Sequence, residues 1–191
     1  MAEYPLVISE TADRGRPNQP LLQSAHDYWR GKRADRFAPS RADIKPEEIR
    51  SLLPHVMILD VIGVPPRFRY RLVGTSFSTE YGAEITGKFT DEIDLSDQKA
   101  AIIADYSKVA RTGAPSFSDW TYTKFDGRTI ECERVVLPLS ADGQVVNMLF
   151  VAFTAHGVAT YPVTDGRPLK LACSHLSGGA PDVQRCGGST R

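Results

Sequence analysis

Glu131 and Glu133 stand two residues apart in the stretch ECERVV, with Arg134 next in line. In an extended chain that spacing puts both carboxylates on one face. Two acids facing one cavity could divide general-acid and general-base roles, with a neighbouring cation to stabilise charge. The same spacing arises on any wet strand face. A second row is Arg67, Arg69 and Arg71, alternating with Phe68, Tyr70 and Leu72 in RFRYRLV. Three cations on one face could follow phosphates or an anionic lipid surface, or they could be the solvated side of an edge strand, where charge discourages pairing between sheet edges. Arg30, Lys32, Arg33 and Arg36 surround Trp29, but Asp27 and Asp35 interrupt that cluster. Cys173, His175 and Cys186 offer soft ligands without the paired short spacings of a four-ligand zinc site. Patterns for a nucleophile elbow, a zinc protease helix, a P-loop and a Rossmann turn are missing as well.

Charge balance narrows the classes further. Lys plus Arg number 23 and Asp plus Glu number 23, so no global field gathers a polyanion and nucleic-acid binding is not expected. The start, MAEYPLVISETADRGRPNQP, has no basic segment leading into an apolar run, and no later stretch is apolar enough for a membrane span. The expected location is the cytoplasm. The odd count of 3 cysteines suits free thiols in a reducing compartment.

The elements that would hold these residues follow from periodicity. Residues 1–19 are polar and proline-spaced, a flexible arm. Residues 20–53 hold N-terminal helices: PLLQSAHDYWRGK places Leu21, Ala25 and Trp29 at four-residue spacing after Pro20, and KPEEIRSLLP opens a second short helix closed by Pro54. From Pro54 the period turns extended. HVMILDVIG and RFRYRLVG, joined by VPP, pair as antiparallel neighbours. TSFSTEYG is a helical turn with Thr75 as cap and Gly82 as stop, and a longer helix from Ser96 carries Ile102, Tyr106 and Val109 before Gly113 and Pro115. SFSDWTYTKF, RTIECERVVLPL and QVVNMLFVAF then form a meander with turns at Asp126-Gly127 and Asp142-Gly143. Residues 54–155 thus read as one α+β domain, and 156–191, rich in Gly, Pro and Ser, as a flexible tail.

This order resembles a PAS sensor domain, in particular the stand-alone PAS proteins of alphaproteobacteria. The blocks that carry the likeness are YWRGKR, RADIKPEEIRSLLPHVMILDV, RFRYRLVGT, EITGKFTDE, YSKVARTGAPS, ERVVLPLSADG and VNMLFVAF, spanning about residues 26–154. The resemblance implies a PAS fold: a five-stranded antiparallel sheet in the order 2-1-5-4-3, helices over one face, a ligand-sized space beneath them, and an N-terminal amphipathic helix. It also implies signalling through a protein partner, since no kinase, cyclase or transcription-factor module accompanies it. The flavin photosensors of that family use a cysteine between strands two and three, and none occurs between Met1 and Glu131. Haem-binding members commonly use a histidine in the long helix, and 96–112 holds none, leaving only the distant His55 and His156. Neither cofactor is expected; the domain binds a small organic ligand or none.

Two sites are expected on this frame. The pocket wall is Tyr70, Phe77, Tyr81, Ile102 and Tyr106, with Arg134 inward beside Ile130, Cys132 and Val136 and needing Asp119 or a ligand carboxylate as counter-ion. The outer sheet face is apolar too. Strand one carries Met57, Leu59 and Val61 on one side and Val56, Ile58 and Ile62 on the other; strand five carries Val145, Leu149 and Val151 against Val146, Met148 and Phe150. Cover for the outer side, at Ile58, Met148 and Phe150, is expected from Leu21, Ala25 and Trp29 of the leading helix, folded back or shared across a homodimer. The function expected is a sensory or adaptor protein, not an enzyme. The alternative is a small α+β enzyme using Glu131, Glu133 or Arg134.

Overall fold

The computed structural model describes residues 17–81, 84–95, 98–123 and 129–158, with side chains at 80, 81, 120–123, 129 and 156–158 outside the description. Those residues form helix α1 (Pro20–Arg33), strands β1 (Val56–Ile62) and β2 (Arg67–Val73), a short helix α2 (Thr75–Tyr81), helix α3 (Lys99–Thr112), and strands β3 (Ser116–Thr123), β4 (Thr129–Leu139) and β5 (Met148–Val158). The strands make one sheet in the order β2-β1-β5-β4-β3, with every neighbouring pair antiparallel. The architecture is the α+β one expected from the sequence.

Strand alternation sorts the sheet residues into two cores. On one side, Met57, Leu59, Phe68, Tyr70, Ile130, Cys132, Val136, Leu149, Val151 and Phe153 pack beneath Tyr106 and Val109 of α3. On the other, Val56, Ile58, Val135, Leu137, Phe150 and Ala152 pack beneath Leu22, Ala25 and Trp29 of α1. Each sheet face thus has its own layer, which is why the central strands are apolar on both sides. At a few kcal/mol at most for each large apolar side chain removed from water, neither face could be left open without a large loss of stability.

The elements depart from sequence expectation in four places. The stripe of α1 is Leu22, Ala25 and Trp29, and Leu21 lies at its margin, partly buried. KPEEIRSLLP makes two 3-10 turns, Pro46–Glu48 and Leu53–His55, instead of a helix. Pro54 lies inside the second turn, and a proline has no N–H for a continuous α-helical ladder. Val145 and Val146 precede β5 and break the expected alternation: Val146 joins the α3-side core and Val145 is 62% exposed. They follow a turn in which the Asp142 carboxylate accepts N–H groups of Gln144 and Val145, so strand periodicity begins only at Met148. Finally, β5 runs to Val158, past the 155 boundary, because it still has β4 to pair with at Thr129.

The expected helix start at Ser96, the stop at Gly82 and the Asp126-Gly127 turn lie outside the described residues. Other punctuation is visible. α3 ends at Gly113 with φ 67, and its N–H bonds to the carbonyl of Val109. Gly74, at the end of β2, approaches the Leu53–His55 turn so closely that a Cβ there would lie 2.3 Å from the Pro54 carbonyl oxygen.

Candidate functional site

Beneath α3, a chain of polar groups crosses the apolar core. Arg134 enters from β4, only 5% exposed. Its Nη2 donates to Oδ2 of Asp105 on α3 at 2.8 Å, and the other Asp105 oxygen accepts from the hydroxyl of Ser116 on β3. The guanidinium lies 5.2 Å from the centre of the Tyr106 ring. Tyr106 meets Phe68 edge-on at 5.4 Å, while Tyr70 stacks on Phe77 at 6.4 Å and Phe77 meets Phe153 edge-on at 5.6 Å. Thr90, also buried, donates to the Phe68 carbonyl at 3.1 Å.

The two tyrosines are neutral in this setting. Burial pushes the Tyr70 hydroxyl well above its ordinary value, and the neighbouring Tyr106 adds in the same direction. Burial raises Tyr106 as well, against the opposing pull of the Arg134 charge. The patch therefore contains one buried ion pair, two protonated phenols and the hydroxyls of Ser116 and Thr90. Next to it, Ser118 pairs in register with Arg134, and its oxygen is buried with no hydrogen-bond partner among the described residues. Chemically this is a buried polar cluster in which Asp105 answers the Arg134 charge; among the described residues, a nucleophile with its activating base is not assembled there.

The expected pocket residues Tyr70, Phe77, Ile102, Tyr106 and Arg134 all lie on the α3 side of the sheet. Tyr81 closes α2, and its side chain is among those not described. The counter-ion of Arg134 comes from Asp105. Asp119 is one residue beyond Ser118, so strand alternation turns it to the opposite face, in register with Glu133. Nothing in the sequence separates Asp105 from other helical acids; only its position beside Tyr106 on the buried turn could have hinted at it.

The paired acids do not share a cavity with Arg134. Glu131 and Glu133 project from the α1 side of β4, the reverse of the face that carries Arg134. Glu131 is exposed. The Glu133 carboxylate accepts the backbone N–H groups of Asn18 and of Gln19, the latter at 3.1 Å, where α1 begins. Sequence reasoning missed this role, which requires the helix to be docked.

The expected interface residues Leu21, Ala25, Trp29, Ile58, Met148 and Phe150 lie together on that same α1 side, within one chain. Trp29 is fully covered and its indole N–H donates to the Pro138 carbonyl at 2.8 Å. The strand-two arginines are held by the chain's own acids. Arg67 grips Asp91 through two bonds of 2.9 Å, while Arg69 and Arg71 share Asp60. Of the basic cluster near Trp29, Arg30 pairs with Asp27, Lys32 with Glu48 and Arg36 with Asp43. No group of three metal-ligating side chains occurs among the described residues, and Cys173, His175 and Cys186 lie outside them. No helix among the described residues is long and apolar enough to cross a membrane.

Residues 18–152 match the family model of the PAS domain, and the chain belongs to that family, whose members generally sense signals. Solved structures of similar shape include a light-oxygen-voltage domain from work with a flavin analogue, at 19% identity and TM-score 0.40, covering 59% of this chain and 83% of that one. Another is the PAS domain of an HTR-like protein from Haloarcula marismortui, at 16% identity and TM-score 0.39, covering 59% and 90%. A third is the PAS domain of a protein from Colwellia psychrerythraea, at 11% identity and TM-score 0.39, covering 59% and 95%. No curated protein matches the chain.

Proposed function

We propose that this PAS protein is a cytoplasmic sensory adaptor that binds a small organic anion in the core beneath α3 and acts through contact with a separate signalling protein. The observation that carries the reading is the Arg134–Asp105 pair, an ion pair buried beneath α3 beside the hydroxyl of Ser116. A buried pair of this kind contributes little net stability compared with apolar packing, so its presence points to use. A ligand carboxylate that takes the place of Asp105 on Arg134 would free α3, with Tyr70, Phe77, Tyr81, Ile102 and Tyr106 as the proposed lining. Occupancy then biases two arrangements of α3 and of the strands under it. We further propose that two copies associate through the outer, α1-covered side of the sheet, where Ile58, Met148 and Phe150 lie.

The test begins with the purified protein, denatured so that any small molecule it carries is released and identified by mass spectrometry. Thermal shift with a panel of small carboxylic acids follows, on the native chain and on Arg134→Gln. An acid that raises the melting temperature of the first and not the second is the expected outcome. The same shift in both variants, or no released molecule and no shift with any acid, would overturn the reading.

A further inference from the structure

Carboxylates crowd one end of the outer sheet face, just beyond the start of α1. Asp119 on β3 and Glu133 on β4 stand directly opposite each other in register, a placement in which like charges repel, and Glu131 is the next residue of β4 on the same face. Thr154 of β5 completes the row on the other side of Glu133; it is 3% exposed, and its hydroxyl has no hydrogen-bond partner among the described residues. Glu133 is answered by the N–H groups of Asn18 and Gln19. Glu131 is exposed and makes no ion pair among the described residues.

The chain that leads into α1 arrives across this same end. α1 runs along β4, since Gln19 meets Glu133 and Trp29, three turns on, meets Pro138. Continued backwards, that line passes over Glu131. Pro17 is already buried, and its carbonyl and that of Asn18 both accept from the Gln23 side chain, so the path of entry is fixed before the helix begins. The residues just before it are Asp13-Arg14-Gly15-Arg16. Pro17 biases Arg16 toward an extended backbone. Arg16 is two Cα steps of about 3.8 Å from Asn18, and Glu131 lies about 7 Å along the strand from Glu133, a gap that an arginine side chain spans.

We propose that segment 13–16 folds back on the outer sheet face, where Arg14 and Arg16 pair with Glu131 and Asp119 and latch the start of α1 to β3 and β4. This segment is the occupant because it is tethered at the spot and carries the charge that the acids lack. The division of labour is simple: backbone N–H groups take Glu133, and the guanidinium groups neutralise its two acidic neighbours. The pairs lie at the surface and are screened by salt, so the latch opens without disturbing the apolar seat of Leu22, Ala25 and Trp29. Ligand binding on the α3 side does not enter into it.

The test uses full-length Arg14→Lys and Arg16→Lys, each treated with a carbodiimide, which joins an amine to a carboxylate in contact with it. Mass mapping is expected to find the introduced lysines linked to Glu131 or Asp119 within one chain. On the unsubstituted protein, trypsin cleavage after Arg14 is expected to be roughly ten-fold slower than in a free peptide of residues 1–19. It should approach the peptide rate at about 1 M salt, where the screening length is about 3 Å, and at low salt when Glu131→Gln is combined with Asp119→Asn. Links from these acids to Lys124 alone would assign them to the segment between β3 and β4 and overturn the latch. So would links confined to species of two chains, cleavage as fast as in the peptide, or slow cleavage that neither salt nor the acid substitutions change.

Discussion

At Arg134 the cost of burying a charge decides the outcome of a substitution. Asp105→Ala leaves the guanidinium buried without its carboxylate, which costs about 3 to 5 kcal/mol in comparable pairs, whereas replacing both partners with apolar residues of similar size is often neutral. Urea denaturation should therefore show Asp105→Ala strongly destabilised and Asp105→Leu with Arg134→Met recovering most of the loss. Equal losses in the single and double variants would show that the pair, not burial, dominates. Gly74 makes a second case at this scale. A Cβ there would meet backbone oxygens of Pro54 and Leu53 at 2.3 and 2.6 Å, atoms that cannot rotate away. Gly74→Ala is expected to cost about 1 to 3 kcal/mol by overpacking, read from the same denaturation curves.

Among the elements, α1 depends most on its surroundings. The N–H groups of Gln19, its cap, and of Asn18 just before it are met by Glu133 of β4, so its start and its docking form together. Glu133→Gln should weaken this cap by about 1 kcal/mol, seen as faster amide exchange through residues 20–33 with little change in β5. Deleting residues 1–33 is a harsher probe. It uncovers Val135, Leu137 and Phe150, and the truncated chain is expected to bind an apolar dye and to scatter as a larger species. A truncated chain that stays monomeric and binds no dye would show that the face does not require cover.

On the scale of the whole molecule, pH sets two limits. Asp43 is held below the usual carboxylate range chiefly by the Ser40 N–H, Glu48 by Lys32, Asp91 by Arg67 and Asp142 by the Val145 N–H. A carboxyl group with a lowered folded value contributes stability above its unfolded value and loses it as pH falls through the folded one. Tyr70 and Tyr106 are raised, so the folded state keeps protons that the unfolded chain releases above about pH 10. Stability should decline below about pH 4 and decline again above about pH 10. Tyr106→Phe should soften the alkaline decline and leave the acid one unchanged, as followed by thermal melts across pH.

What the sequence determined by itself was whatever depends on neighbours along the chain. Period two in Arg67–Val73, Pro20 opening α1 and Gly113 ending α3 are local signals, and they sufficed for those elements and, with the family likeness, for the strand order. The alternation of Arg67, Arg69 and Arg71 likewise marked a face, but only the folded chain brings Asp60, Asp91 and Glu92 to them. The same holds for Asp105 on Arg134, for Glu133 at the start of α1 and for the choice of Leu22 over Leu21. These pairings join residues far apart in sequence, and whether an acid is a catalyst, a cap or a counter-ion depends on which face of the sheet it occupies. Residues 133 and 134 show the physical reason most directly. One step along a strand reverses the face, so two adjacent charges serve two different layers, and only packing assigns a partner to each.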